Sequence, residues 1–313
     1  MGTGAIAAGF AADLEATGSG RVIAVGSRTA AAAARFAGTF GIPGRHASYQ
    51  ALVSDPDVEV VYVATPHPFH HDHARLALEA GKPVLVEKPF AMDAAEAADL
   101  VATARDRGLF LMEAMWTRFL PHIAELRRLL AAGAVGEVVT VIADHGQWFP
   151  EDRSSRLFAP ELGGGALLDL GVYPVSFASL VLGAPDRVLA MAEPAFTGVD
   201  GQTSVLLGHP GGAQAVLTCT LSAVGPTRAA VVGTEGRIEI DRPFYAPAPL
   251  TLLPRHGEPV RFDPPHRGTG LRHEADEVAR CLAAGLLESP WMPLDETVSV
   301  MATLDEIRRQ TAG

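Results

Sequence analysis

Apolar and polar positions follow two different rhythms along this chain. From residue 5 to about residue 120, helical spacing alternates with short apolar runs. AIAAGFAADLEA (5–16) reads as a helix, RVIAV (21–25) as a strand, AAAARFAGTF (31–40) as a helix and EVVYVAT (59–65) as a strand. FHHDHARLALEA (69–80), VLVEKP (84–89), DAAEAADLVATARDRG (93–108) and LFLMEA (109–114) continue the same alternation. That order predicts βαβ units and a doubly wound parallel sheet of the Rossmann kind. A further helix is expected over 120–132. From Glu137 the pattern changes to short, alternating, turn-bounded strands: 137–148, 185–194, 202–208, 213–224, 227–233 and 236–241. This half predicts an α+β domain with an open, mainly antiparallel sheet. One long helix over 165–183 interrupts the strands, and helices over 271–285 and 294–310 close the chain. Two domains follow, 1–120 and 121–313, as a chain too long for one small core suggests.

Composition narrows the function. Hydrophobic residues make 48% of the chain and charged ones 19%, as in a globular enzyme. A formal net charge of −11 without a basic run argues against nucleic acid or an anionic membrane as partner. The apolar stretches read as broken short of a membrane span, and no signal peptide pattern is visible, so the expected location is cytoplasmic. Two distant cysteines, Cys219 and Cys281, suggest neither a disulfide framework nor a thiolate zinc site.

Four stretches carry chemistry. Gly2-Thr3-Gly4-Ala5-Ile6-Ala7 opens a helix in the G-x-G-x-x-A form that lets a pyrophosphate reach a helix N-terminus. After the next strand stand Ser27 and Arg28, where an NAD-preferring fold places an acidic residue; an arginine there suits the 2′-phosphate of NADP, with NAD still open. Thr65-Pro66-His67-Pro68-Phe69-His70-His71-Asp72-His73 follows another strand, with Thr65, His67 and His70 at its cofactor end. His70 and His73 share a helix face, but no further ligand is paired with them, so the pattern does not point to metal. His71 and His73 read as exposed helix positions. Glu87 and Lys88 end a buried strand that Pro89 stops, and so stand at the lip where α/β sheets bind ligands. Finally, Gly163-Gly164-Gly165 leads into a helix carrying Asp169 and Tyr173 one turn apart among leucines and valines. A carboxyl and a phenol on so apolar a helix are costly to bury without partners or use.

These motifs jointly resemble the Gfo/Idh/MocA oxidoreductase family: Gly-Thr-Gly at the start, Thr65 to His70, Glu87-Lys88-Pro89, and Gly-Gly-Gly-x-x-x-Asp-x-Gly-x-Tyr. The segment Glu113-Ala114-Met115-Trp116-Thr117-Arg118-Phe119 is similar to the branch of NADP-dependent D-xylose dehydrogenases and dimeric trans-dihydrodiol dehydrogenases. The resemblance implies that Lys88 projects beside the nicotinamide ribose while Glu87 and Pro89 fix its backbone. It further implies that Tyr173 is the general base, tuned by Lys88, since a phenol of pKa about 10 is otherwise a poor base near neutrality. Asp169 would orient the substrate or Lys88, and Trp116 would wall the substrate site. Specificity is expected to depend on the loop around Trp148, Phe149 and Arg153. The implied reaction is hydride transfer between NADP and the hydroxyl of an aldose or a cyclic trans-diol, in a homodimer. Two alternatives are an NAD-dependent glycoside hydrolase of the same fold and a non-catalytic NADP sensor.

One element is missing from the pattern. A Rossmann half begins with a central strand leading into the glycine turn, yet here the glycines follow Met1 directly. The sequence therefore predicts that the first strand is absent from these residues, with reduced stability and weak NADPH binding. Met1 would then correspond to an internal position.

Overall fold

A computed structural model describes residues 1–18 and 20–311, which divide into two compact units. The first comprises Met1–Phe119 and Arg267–Val298. Helices α1 (Ala5–Thr17), α2 (Ala30–Phe40), α3 (Tyr49–Val53), α4 (His70–Glu79) and α5 (Ala94–Arg107) alternate with strands β1 (Ala24–Gly26), β2 (Gly44–His46), β3 (Val61–Val63), β4 (Val84–Glu87) and β5 (Leu111–Ala114). Helix ends follow the sequence closely. Thr29, Ser48 and Asp93 each accept a backbone N–H three residues on, and Gly18, Gly41 and Gly108 close helices in the left-handed conformation. All strand pairs are parallel, but they form two separate sheets, β1–β2 and β3–β4–β5. Among the described residues no strand precedes α1.

The second unit comprises Leu120–His266 and the residues from Ser299 on. It opens with α6 (Pro121–Ala131) and strand β6 (Val138–Gly146). Helix α7 (Val172–Leu182) and strands β7 (Arg187–Pro194), β8 (Asp200–Gly208), β9 (Gln214–Thr220), β10 (Ala229–Gly233), β11 (Gly236–Ile240), β12 (Leu250–Pro254) and β13 (Val260–Phe262) follow. They build one eight-stranded sheet, ordered β13-β12-β11-β10-β6-β9-β8-β7, antiparallel except for β6 with β9. One face packs on α7. The other leaves Ile142, Val216, Leu206 and Leu189 exposed in register across four adjacent strands.

Helix α8 (Arg272–Ala283) belongs to the first unit, and α9 (Leu294–Thr311) begins there before continuing in the second. A single boundary at residue 120 therefore misses the return of 267–298. The cause is polar as well as apolar. Buried Asp13 on α1 accepts the backbone N–H groups of Thr269, Gly270 and Arg272 at 2.6, 3.1 and 2.9 Å, capping the start of α8. Leu111 of β5 donates to Leu287 O at 3.1 Å, tying down the stretch after α8.

The long helix expected over 165–183 is not uniform. Leu167–Gly171 forms a wide π turn before α7 begins. Pro174 has no N–H to donate to the preceding turn, and the Asp200 carboxylate takes up Leu167 N at 2.6 Å, so the widened turn loses little. The segment Pro160–Leu182 is long and apolar enough to cross a membrane by length and composition, which corrects the reading that every apolar stretch falls short. Yet 83% of its apolar window is buried, as befits a core helix.

Candidate active site

The first unit gathers its site residues at the carboxyl ends of β1, β3 and β4. Gly2 has φ +98°, and a Cβ there would meet Ala64 O at 2.4 Å, so only glycine fits. At Gly4 a Cβ would meet nothing within 4 Å, which leaves room for a ligand against the backbone. Gly4 is the N-cap of α1 and supplies no side-chain acceptor, and the first turn carries no acidic residue. The N–H groups at Ala5 and Ile6 thus open onto exposed surface with the helix dipole behind them. Ser27 is buried and donates its N–H to His46 O at 3.1 Å, whereas Arg28 is exposed. No carboxylate follows β1 directly. These residues fit the pyrophosphate of a nicotinamide dinucleotide.

At the ends of β3 and β4, His70 is fully buried between two carbonyls, Pro89 O at 2.8 Å and Thr65 O at 2.7 Å. Burial pushes its pKa down to about 4, so the ring is neutral and donates to only one of them. His70 is thereby a tie between two loops. His67 is buried with its ring edge-on to His70 at 5.6 Å. His71 and His73 are not the exposed positions expected. His71 Nε2 bonds Asp99 at 2.7 Å, and His73 Nδ1 bonds Thr65 Oγ1 at 3.0 Å, its ring packed against Tyr49 and Phe69. Their sequence spacing could not reveal that α5 and α3 pack over that face. Glu87 is buried, takes the hydroxyl of Tyr62 and accepts Lys88 N at 3.1 Å, so it does hold the lysine's backbone. Lys88 itself is partly buried. Trp116 is buried in a 3-10 turn after β5. Glu113 is buried too, and burial pushes its pKa up to about 7 against the pull of Arg118 and of the Thr297 hydroxyl. Arg118 pairs with Glu296 at 2.8 Å.

In the second unit, the π turn and α7 present Asp169 and Tyr173, both buried. Arg156 donates to Asp169 at 3.0 Å, so the guanidinium on this carboxylate comes from Arg156. Arg153, singled out in the sequence, instead lies over the Phe196 ring at 5.4 Å. Trp148 is exposed, while Phe149 packs on the cluster of Leu157, Phe158 and Leu221. Tyr173 stands in an aromatic group that sequence reasoning missed. His145 meets its ring edge-on at 5.2 Å, Tyr245 lies 5.0 Å away, and His145 stacks on Tyr245 at 4.3 Å. Gln147 reaches both His145 Nε2 and Tyr245 Oη at 2.9 Å. His145 was findable: it occupies an inward position of β6, after buried Val141 and Ala143. Tyr245, in a loop, had no such signal. Among the described residues no group of three or more His, Cys, Asp or Glu side chains could hold a metal ion.

A parallel-sheet nucleotide seat joined in one chain to a sheet-backed acid–phenol pair defines an oxidoreductase of the Rossmann class. Residues 1–115 match the oxidoreductase family with NAD-binding Rossmann fold, GFO/IDH/MocA, and residues 123–239 match the GFO/IDH/MocA C-terminal domain. The chain belongs to the GFO/IDH/MocA family. It is 40% identical over 300 residues to trans-1,2-dihydrobenzene-1,2-diol dehydrogenase of Xenopus tropicalis, covering 93% of this chain and 89% of that protein. The mouse dehydrogenase of the same name is also 40% identical, over 92% and 88% of the two chains. Among solved structures, aldose-aldose oxidoreductase from Caulobacter crescentus superposes with TM-score 0.85 at 29% identity, over 93% of this chain and 90% of that one. A 3-ketoreductase from Actinomadura kijaniata, solved with NADP and TDP-benzene, gives TM-score 0.87 at 29% identity, over 99% and 96%.

Proposed function

We propose that the protein is an NADP-dependent dehydrogenase that oxidises a secondary hydroxyl of a cyclic trans-diol, with aldoses such as xylose as the second substrate class. The observation that carries this reading is the buried Asp169–Tyr173 pair on an apolar helix, in a chain whose nucleotide seat has Arg28 in place of an acid. The diol comes from the 40% identity to the dihydrodiol dehydrogenases, and the aldose from the likeness to the aldose-aldose oxidoreductase.

Each residue then has a task. Gly2, Gly4 and the N–H groups at Ala5 and Ile6 hold the pyrophosphate, and Arg28 pairs with the 2′-phosphate. Thr65, His67 and His70 shape the loops at the cofactor's nicotinamide end. Bound NADP supplies the hydride acceptor. Tyr173 takes the hydroxyl proton as general base, and the ammonium of Lys88 anchors the cofactor ribose. Asp169, held by Arg156, orients the second hydroxyl, and Trp116 walls the substrate. Reduced cofactor appearing with a trans-diol or an aldose tests the reading; sugar release without net cofactor change would favour the hydrolase.

The exposed row Ile142, Val216, Leu206 and Leu189 supports a homodimer formed through the open sheet face. Sedimentation showing only monomer at micromolar concentration would contradict it. A cytoplasmic location remains part of the proposal.

A further inference from the structure

The run from His67 to His73 holds four histidines, and the site described above uses His67 and His70. His71 is turned to Asp99 on α5, but His73 stands among groups that follow three different strands. Its Nδ1 bonds Thr65 Oγ1 at 3.0 Å beyond the end of β3, while Thr65 O holds His70. Thr65 therefore serves two sides, its carbonyl toward the nicotinamide loop and its hydroxyl toward His73. The ring of Tyr49, the first residue of α3, meets His73 edge-on at 4.4 Å, and Phe69 stacks on it at 5.9 Å. Arg28, which follows β1, is close enough to act on the ionisation of both His73 and Tyr49.

Two features of this cluster point to an anion. Arg28 makes no ion pair among the described residues, and His73 Nε2 makes no hydrogen bond among them. The His73 ring can also work in two charge states. Neutral, it accepts the Thr65 hydroxyl at Nδ1 and carries its proton on Nε2; charged, it donates from Nδ1 to the same oxygen. Burial lowers its pKa below the ordinary 6.5, Asp72 on its own helix opposes this, and the Met1 amino group and Arg28 act with burial. The Tyr49 phenol, raised above its usual 10 by burial, is uncharged near neutrality. Without a ligand His73 is therefore mostly neutral at pH 7.

We propose that His73 is a second binding group for the 2′-phosphate of NADP, beside Arg28, and takes up a proton from solvent when the phosphate binds. The proposal rests on the NADP reading above and adds a proton to it. A phosphate monoester loses its second proton near about pH 6, so at pH 7 it arrives as a dianion and releases little. Its charge outweighs the repulsion from Arg28 and favours the imidazolium, whose Nε2–H it accepts. NADH lacks this phosphate and should bind without the proton.

Calorimetric titration with NADPH and with NADH at about pH 7, in two buffers of different ionisation enthalpy, counts the protons taken up on binding. The unmutated protein should take up about half a proton per NADPH and none per NADH. His73→Phe keeps the ring packing, and His73→Gln keeps a partner for the Thr65 hydroxyl. Each should abolish the uptake and weaken NADPH about tenfold while NADH affinity stays within about twofold, so NADH reports the fold in the same experiment. NADPH bound no tighter than NADH by the unmutated protein would end the NADP reading itself. NADPH bound more tightly but without proton uptake, or with uptake that survives in both His73 variants, would overturn this proposal and leave the NADP reading in place.

Discussion

Arg156 donates to Asp169 at 3.0 Å, pairing a half-exposed guanidinium with a buried carboxylate. The contact gives the Asp169 carboxyl a cationic donor that fixes its orientation. Removing the arginine leaves a buried charge exposed to its desolvation cost, discounted by the solvent that reaches Arg156. Arg156→Ala should lower kcat/KM by about ten- to a hundredfold, whereas Arg153→Ala, which removes a ring contact and a long hydrogen bond to Phe196 O, should stay within about twofold. Steady-state kinetics on both variants decide this. Equal effects would return Asp169 to a purely structural part.

Tyr173→Phe keeps the packing against His145 and Tyr245 and deletes only the hydroxyl. Turnover should fall by about two to four orders of magnitude with NADPH affinity nearly unchanged. Near-normal turnover would remove Tyr173 from the chemistry.

Arg28→Ala should erode NADP preference by about ten- to a hundredfold, through weaker NADP binding, because one charge-assisted phosphate contact is lost. Titration with NADPH and NADH measures it. An unmutated enzyme that prefers NAD would contradict the assignment.

Glu113 gives a pH-dependent stability. Its folded pKa, about 7, lies above the ordinary 4.5 because burial disfavours the charged form. The contribution is therefore fully present below about pH 4.5 and is lost as pH rises through about 7, on the order of 3 kcal/mol in all. Glutamine cannot ionise. The Tm of Glu113→Gln relative to the unmutated protein should thus rise by several degrees between about pH 5 and pH 8. A pH-independent offset would mean that Glu113 is not buried as a neutral acid.

Much of the fold was legible because local signals agreed with it. Asp93 and Gly108 bracket α5, and Val84–Glu87 is buried along its whole length, as its unbroken apolar run implied. Glycine at positions 2 and 4 was readable for the same reason, since one needs a positive φ and the other open space. What escaped depended on contacts distant in sequence. Nothing near Asp13 announces that it caps a helix more than 250 residues away. The Arg156–Asp169 pair is set by how the loop before the triple glycine folds back, so the choice between Arg153 and Arg156 was not in the spacing. The π turn at Leu167–Gly171 needed Asp200, from another strand, to be seen.

The central claim is hydride transfer from a cyclic trans-diol or an aldose to NADP. Absorbance of the reduced nicotinamide, followed with NADP and a panel of trans-dihydrodiols and aldoses, tests it most directly. The account predicts reduced cofactor with a trans-diol at least as fast as with any aldose, and a Lys88→Ala protein that both turns over slowly and binds NADPH weakly. No reduced cofactor with any member of the panel, or sugar released with cofactor absorbance unchanged, would contradict it.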